Sequence, residues 1–178
     1  MSPEDHRPAP EGARQQGQPM SVEARHRMAR RMRLLNVPMR RVLGLPFPTP
    51  LGRRLMLLFF TGRKTGRLYR QPVSYVTDGD TLLSPGGGNW KRNLREGEPI
   101  RIRLRGRDIA ARPQFVRDAA EVERLLRRMM AANPRLTSFV PFIGADGRID
   151  PAGLAAGLAH GFCIVRWHID GPWLEGGQ

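Results

Sequence analysis

Residues 100–116 read Ile-Arg-Ile-Arg-Leu-Arg-Gly-Arg-Asp-Ile-Ala-Ala-Arg-Pro-Gln-Phe-Val. From Ile100 to Arg105 apolar residues alternate strictly with arginines, the period of a strand with one buried face and one wet, positive face. Gly106-Arg107 turns the chain, and Asp108–Val116 is the predicted return strand. Pro113 has no N–H to give a ladder, which predicts an edge or bulged strand.

Working outward, the same logic gives further strands. Leu55–Thr61 is an apolar run fit for a buried strand. Pro72–Thr77 is followed by the hairpin signal Asp78-Gly79 and a returning strand, Thr81–Ser84. Gly86-Gly87-Gly88 is a loop, and Trp90–Arg95 a short helical turn. Downstream, Asp118 caps a helix with Glu121 as capping-box partner. Val122, Leu125, Leu126, Met129 and Met130 form its core stripe, and Asn133-Pro134 stops it. Leu136–His160 reads as loop with a short helix near Leu154–Leu158, and Gly161–Ile169 as a last apolar strand. The expected class is α+β: about six mostly antiparallel strands in a small barrel-like sheet, an N-terminal helix and one inserted helix.

The 178 residues suffice for one domain with a real core. Residues 1–20, polar and proline-rich, are expected to be a disordered tail. Residues 21–50 form a basic helix from Ser21 to about Leu35, bent or ended at Pro38, and a linker marked by Pro46, Pro48 and Pro50. The barrel domain is expected over 51–172, with a flexible C-terminus at 173–178. The basic helix suits either a solvated cap on the domain or an anionic membrane surface. No apolar run reaches the roughly 18–20 residues of a span. The expected location is cytoplasmic, with membrane association through that helix as the alternative.

The formal net charge is +14, and of thirty basic residues only Lys64 and Lys91 are lysines. Such a charge favours anionic partners: phosphate-bearing cofactors, lipid headgroups or nucleic acid. Nucleic acid is disfavoured, because the arginine face of residues 100–105 lacks interleaved aromatics and no helix-turn-helix or zinc motif is visible. The lone Cys163 allows no intrachain disulfide, and the four scattered histidines give no metal site.

Two segments carry chemistry. Gly62-Arg63-Lys64-Thr65-Gly66 lies between strands, with glycines that permit a tight turn around two cations and a hydroxyl. Its N–H groups and side chains suit a phosphate. A plain basic hairpin turn is the simpler reading. Ser84-Pro85-Gly86-Gly87-Gly88-Asn89-Trp90 and Asn93 form the second segment. A glycine loop lets a planar ring lie against backbone. Trp90 is suited to wall such a pocket or to anchor the barrel's end, and Asn93 to bond a ring edge or cap a helix end.

Taken in order, Gly62–Gly66, Pro72, Ser84, Gly86-Gly87 and Trp90-Lys91-Arg92-Asn93-Leu94 resemble the deazaflavin-dependent nitroreductase family, a branch of the flavin-type split barrels. The resemblance covers residues 50–117 well and Gly161–Ile169 loosely. It implies a split β-barrel that binds coenzyme F420, with flavin mononucleotide or haem as alternatives. Arg63, Lys64, Thr65 and Gly66 would hold the phosphate tail. Pro72, Ser84, Pro85, Gly86, Gly87, Trp90 and Asn93 would line the ring, and Ser84 is the implied catalytic residue. Hydride would pass to a nitroaromatic, quinone or activated alkene, a small-molecule electron acceptor. The protein supplies position and electrostatics to the coenzyme's own redox chemistry. Split barrels of this kind are often dimers, so a homodimer is implied. The chain departs from the pattern at Tyr69, where relatives often carry arginine. Arg70 is one residue displaced, which in a strand points to the opposite face.

Deleting residues 1–20 is expected to leave cofactor affinity and melting temperature unchanged, because the segment has too little apolar surface to join a core. Titration and thermal melting of the truncated protein check this.

Overall fold

The computed structural model describes residues 38–39, 41–45, 50–138, 140–144 and 146–170. The expected tail at 1–20, the basic helix as far as residue 37 and the C-terminus from 171 lie outside the described residues. Residues 38–39 and 41–43 are helical.

Seven strands form one sheet: β1 (Leu55–Thr61), β2 (Leu68–Ser74), β3 (Val76–Asp78), β4 (Thr81–Pro85), β5 (Ile100–Leu104), β6 (Arg107–Val116) and β7 (Ile164–Ile169). Their order is β2-β1-β5-β6-β7-β4-β3, and every pairing is antiparallel. β2 and β3 stand at opposite ends of this order, yet only Tyr75 separates them in the chain. One residue spans at most about 3.6 Å, so the sheet must curl until its edges meet. The split of the barrel falls at Tyr75. The expected strand Pro72–Thr77 is therefore two strands. The strand count is seven rather than about six, within the α+β split-barrel class read from the sequence.

Three apolar clusters fill the fold. Inside the curl lie Met56 and Leu58 of β1, Leu82 of β4, Ile102 and Leu104 of β5, Ala111 of β6, and Val165 and Trp167 of β7. On the other face of β4, β6 and β7, Leu83, Val116 and Ile164 pack against Val122, Leu125, Leu126 and Met129 of helix α1 (Ala119–Ala132). Asp118 Oδ1 accepts from the Glu121 N–H at 2.9 Å and starts α1 as the sequence requires. Leu154 of helix α2 (Pro151–Ala159) joins that cluster, so the short helix expected near 154–158 is a nine-residue one. On the outward face of β1, Leu57 and Phe59 are covered by Leu43.

Two expectations about the 100–116 hairpin need correction. The two-residue turn is Arg105-Gly106, with φ of 48° and 84°, so the alternation ends at Leu104 and Arg105 is not on the wet face. Positive φ at both positions matches the right-handed twist of the flanking strands, at a cost of about 1–2 kcal/mol for a non-glycine residue. Second, β6 is central rather than an edge. Its ten residues outrun the five of β5, and Pro113 pairs with Trp167 on the β7 side only. Gly97 N–H donates to Pro113 O at 2.9 Å, so the missing N–H faces the 95–99 loop and no ladder bond is lost. Nor is the arginine face fully wet. Arg103 is bidentate to Asp108 at 2.6 and 2.7 Å and also donates to Gly44 O. Among the described residues no helix is long and apolar enough to cross a membrane.

Tyr75 seals the split. It is 3% exposed, its hydroxyl donates to Gly52 O at 2.9 Å, and its N–H to Arg54 O at 3.1 Å. Burial pushes its pKa above the usual tyrosine value, opposed by the Arg105 guanidinium. A phenol whose folded pKa is raised lends stability that is complete below the unfolded value of about 10 and is lost as pH rises through the folded one. Alkaline unfolding of the wild type should therefore steepen above about pH 10, and Tyr75→Phe should remove that component. Gly106→Ala, which places a Cβ at φ 84°, should lower stability by about 1–2 kcal/mol in denaturant titration.

Candidate functional site

The turn that follows β1 is bound inward by its own backbone. Gly62 N–H donates to Arg67 O at 2.8 Å, and the N–H groups of Thr65 and Gly66 donate to Gly62 O at 3.2 and 2.8 Å. Gly66 takes φ +65°, where glycine is unstrained. A Cβ on Gly62 would meet the ring of Tyr69 and come within 2.6 Å of Thr65 Oγ1, so a larger residue would have to displace both side chains. Tyr69 stacks on Phe60 with centroids 5.8 Å apart, and its hydroxyl lies 3.2 Å from Thr65 Oγ1. This fixes the turn's angle on the barrel rim.

The second segment begins at the end of β4. Ser84 is fully buried, and its Oγ accepts from Trp167 Nε1 at 3.1 Å. The Trp167 ring stacks on Trp90 with centroids 6.1 Å apart and planes 18° from parallel. Trp90 belongs to the 3-10 turn Asn89–Asn93. Asn93 Nδ2 donates to Trp90 O at 3.2 Å, and Asn93 Oδ1 accepts from the Arg63 N–H at 3.0 Å. That last bond joins two segments thirty residues apart.

The sequence-predicted residues therefore divide. Arg63, Lys64, Thr65, Gly66, Trp90 and Asn93 gather at one end of the barrel, with Pro85, Gly86 and Gly87 beside them at the end of β4. Pro72 does not join them. It lies opposite Leu57 within β2, four residues past Leu68 or about 13 Å along the strand. Ser84 holds Trp167 in the core and presents no free hydroxyl at the rim. Asn93 spends its oxygen and its amide nitrogen on backbone groups, which makes it a bridge. Gly86 serves the core as well: its N–H donates to Cys163 O at 2.8 Å, and a Cβ there would lie 2.7 Å from Cys163 Sγ. Burial pushes the Cys163 thiol up, with the Lys91 ammonium opposing, so it stays protonated and is no nucleophile.

Lys91 and Trp167 were not singled out as site residues from the sequence. Lys91 Nζ donates to the carbonyls of Gly86 and Gly161, tying the glycine loop to the approach of β7. The signal was present in its place between Trp90 and Asn93. Trp167 gave the ordinary signal of an inward strand position.

Of the five N–H groups in residues 62–66, those of Gly62, Arg63, Thr65 and Gly66 already have protein acceptors. An anion here must be met mainly by side chains. Arg63, Lys64 and Arg67 are all exposed, and none has an ion-pair partner among the described residues. The rim of the barrel is thus a rigid backbone platform carrying three unpaired cations, beside an aromatic stack.

Over residues 31–140 the chain matches the F420H(2)-dependent quinone reductase family. It belongs to that family. The match spans the turn, the glycine loop and the Trp90–Asn93 segment, and the family is one of oxidoreductases whose name carries dependence on reduced F420. No curated protein matches the chain. Among solved structures, similar chains include a candidate pyridoxamine 5'-phosphate oxidase from Listeria innocua (11% identity over 66% of this chain and 85% of that one, TM-score 0.43). A candidate 5-nitroimidazole antibiotic resistance protein from Bacteroides thetaiotaomicron shows 13% identity over 68% and 75%, with TM-score 0.42. A FAD-binding protein from Mesorhizobium loti shows 14% over 66% and 82%, with TM-score 0.40.

Ser84→Ala separates a structural serine from a catalytic one. Loss of the buried bond to Trp167 should cost about 1–3 kcal/mol in unfolding free energy. The turnover of the folded fraction should fall less than tenfold, because Ser84 acts on the site only by holding Trp167. A kcat that falls tenfold or more in folded protein would instead put Ser84 at the reacting atoms.

Proposed function

We propose that this protein is a deazaflavin-dependent reductase that takes reduced coenzyme F420 at the rim of the barrel and passes hydride to a quinone, nitroaromatic or activated alkene. The reading is carried by the bond from Arg63 N–H to Asn93 Oδ1. It makes one platform of the two motif segments, within a family defined by F420H(2).

The donor set suits a phosphorylated ligand. Arg63, Lys64 and Arg67 offer guanidinium and ammonium groups with no described carboxylate to neutralise them. Charge-assisted hydrogen bonds from such groups are about twice as strong as neutral ones. When bound, the coenzyme would supply the hydride. The chain's own part is positional. Arg63 and Lys64 hold the anion, and Arg67 adds charge at the base of the turn. Trp90, braced on Trp167, offers a flat wall at a fixed angle. Asn93 keeps wall and turn at constant separation, and Lys91 holds the glycine loop down through Gly86 O and Gly161 O. Preorganisation of this kind contributes to rate because the geometry need not be assembled during the reaction.

Flavin mononucleotide also carries a phosphate, so the two cofactors must be compared directly. Side-by-side fluorescence titration should show tighter binding of F420 than of flavin mononucleotide; equal or reversed affinities would sink the assignment. Lys64→Ala should raise the dissociation constant for F420 about tenfold, the equivalent of about 1.4 kcal/mol. The melting temperature should not change, because an exposed turn lysine packs against nothing.

A further inference from the structure

Three segments meet at the ammonium of Lys91. The residue belongs to the 3-10 turn Asn89–Asn93, and its Nζ donates to Gly86 O in the glycine loop and to Gly161 O beyond α2. The α2 side is a rigid post. The chain leaves the helix at Gly161, which takes φ +84°. The Gly161 N–H donates to Leu158 O and the Phe162 N–H to Gly157 O, each at 2.8 Å. This is the Schellman closure, in which a left-handed glycine ends a helix and satisfies its last carbonyls. Phe162 meets Phe142 edge to face with centroids 4.9 Å apart. Phe142 in turn fills the groove of α2, where a Cβ on Gly153 or Gly157 would come within 2.6 or 2.7 Å of it. A cation at the carbonyl end of a helix is favoured by the helix dipole as well.

The glycine loop is held more lightly. Gly86 is tied by its N–H to Cys163 O at 2.8 Å and by its carbonyl to Lys91. Gly87 lies over the Phe162 ring, where an added Cβ would make ordinary contact at 3.7 Å, and Gly88 backs on Trp90. None of the three has a side chain to wedge into the core. Without Lys91, Gly86 would keep the bond to Cys163 O and lose its link to the post. Under Gly86 lies Cys163, buried and the one cysteine of the chain. A loop that lifts would uncover it, so the thiol reports on the loop. Burial pushes the Cys163 pKa up, and the Lys91 charge opposes that rise. Loss of the charge alone would therefore slow the thiol's reactions, whereas lifting the loop would speed them. The two effects have opposite signs.

We propose that Lys91 is a positioning residue and the latch of a two-state loop: its ammonium holds residues 86–88 closed against the end of α2, and release of the latch lifts the loop from Cys163 and loosens the seat of the cofactor ring. The positioning role rests on the reading of this loop as the ring's seat; the latch does not. The phosphate grip of Arg63 and Lys64 is separate from Lys91. Release of the loop therefore lowers turnover more than it lowers affinity.

The test is the rate at which N-ethylmaleimide, a neutral reagent, labels Cys163 in wild type, Lys91→Met, Lys91→Gln and Lys91→Arg. Lys91→Met, which loses two charge-assisted bonds, should label about tenfold faster than wild type or more. Lys91→Arg keeps the charge and should stay close to the wild-type rate. Lys91→Gln, neutral but still a donor, should fall between, and it takes the place of the methionine variant if that one does not fold. Repeating the labelling in low urea separates loop opening from global unfolding, because local opening exposes little surface and barely responds to denaturant. Saturating F420 should slow labelling of wild type. In Lys91→Met, kcat should fall about tenfold while Kd for F420 changes less than about threefold. Labelling of a folded neutral variant at or below the wild-type rate overturns the latch, as does a Lys91→Arg rate equal to that of Lys91→Met. Faster labelling of Lys91→Met with no slowing of wild type by bound F420 supports the latch and overturns the loop as the ring's seat. Failure of wild type to bind F420 overturns the cofactor assignment and the positioning role, and the labelling rates still decide the latch.

Discussion

Trp167 is buried completely at the centre of the barrel, and an indole N–H in that position must find an acceptor or cost several kcal/mol. Much of the site's geometry follows from how the fold meets that demand. The acceptor is Ser84 Oγ on the neighbouring strand. The bond fixes the rotation of the Trp167 ring, and the ring's outer surface then sets where Trp90 can stack. Trp90 carries the 3-10 turn with it, that turn places Asn93, and Asn93 captures the Arg63 N–H. A buried hydrogen bond thus sets the place of a turn on the rim. Ser84 acts through this chain of contacts, at a distance from any ligand met by the cations.

Electrostatics separates the two halves of the molecule. The helix α1 and the strands beside it carry matched charges. Glu121 is held by Arg124 and Arg166, and those guanidiniums keep its carboxyl below the usual range. Exposed pairs of this type add little to stability, but they neutralise the surface they occupy. β2 and the turn before it have no such partners, because the sequence there contains no carboxylate. The turn and β2 are therefore a stretch of positive charge with no neutralising partner among the described residues. Repulsion among those cations opposes folding slightly and is relieved when an anion binds, which links ligand binding to stability.

Much of this was legible in the residues, and the parts that were not have physical reasons. Alternation at Ile100–Leu104, the apolar run at Leu55–Thr61 and the N-cap at Asp118 each report a local constraint and stand where expected, although the Glu121 carboxylate of the expected capping box turns to Arg124 and Arg166 instead. Tyr75 could not announce that it divides one apparent strand into two, because the division is imposed by closure of the sheet and not by any local breaker. Pro113 was misread for a related reason: the rule that confines proline to edges concerns one side of one residue, and here that side faces a loop. At the site, Ser84 and Gly86 stand in a motif that suggests ligand contact, while their environment is the core. Sequence gives the residue type and spacing, but not which way a short side chain points.

The glycines and the lysine of the motif make the same point from the other side. Gly62 leaves room for Tyr69 and Thr65, Gly86 is required by the Cys163 backbone, and Lys91 is spent on two carbonyls. Four of the five turn N–H groups are likewise bound within the protein. A platform so fully committed to itself has little backbone left with which to discriminate between ligands. Discrimination between anions falls instead to the exposed side chains of Arg63, Lys64 and Arg67 around it. The glycines, Trp90 and Asn93 build the shelf, and Arg63, Lys64 and Arg67 supply the exposed charge on it.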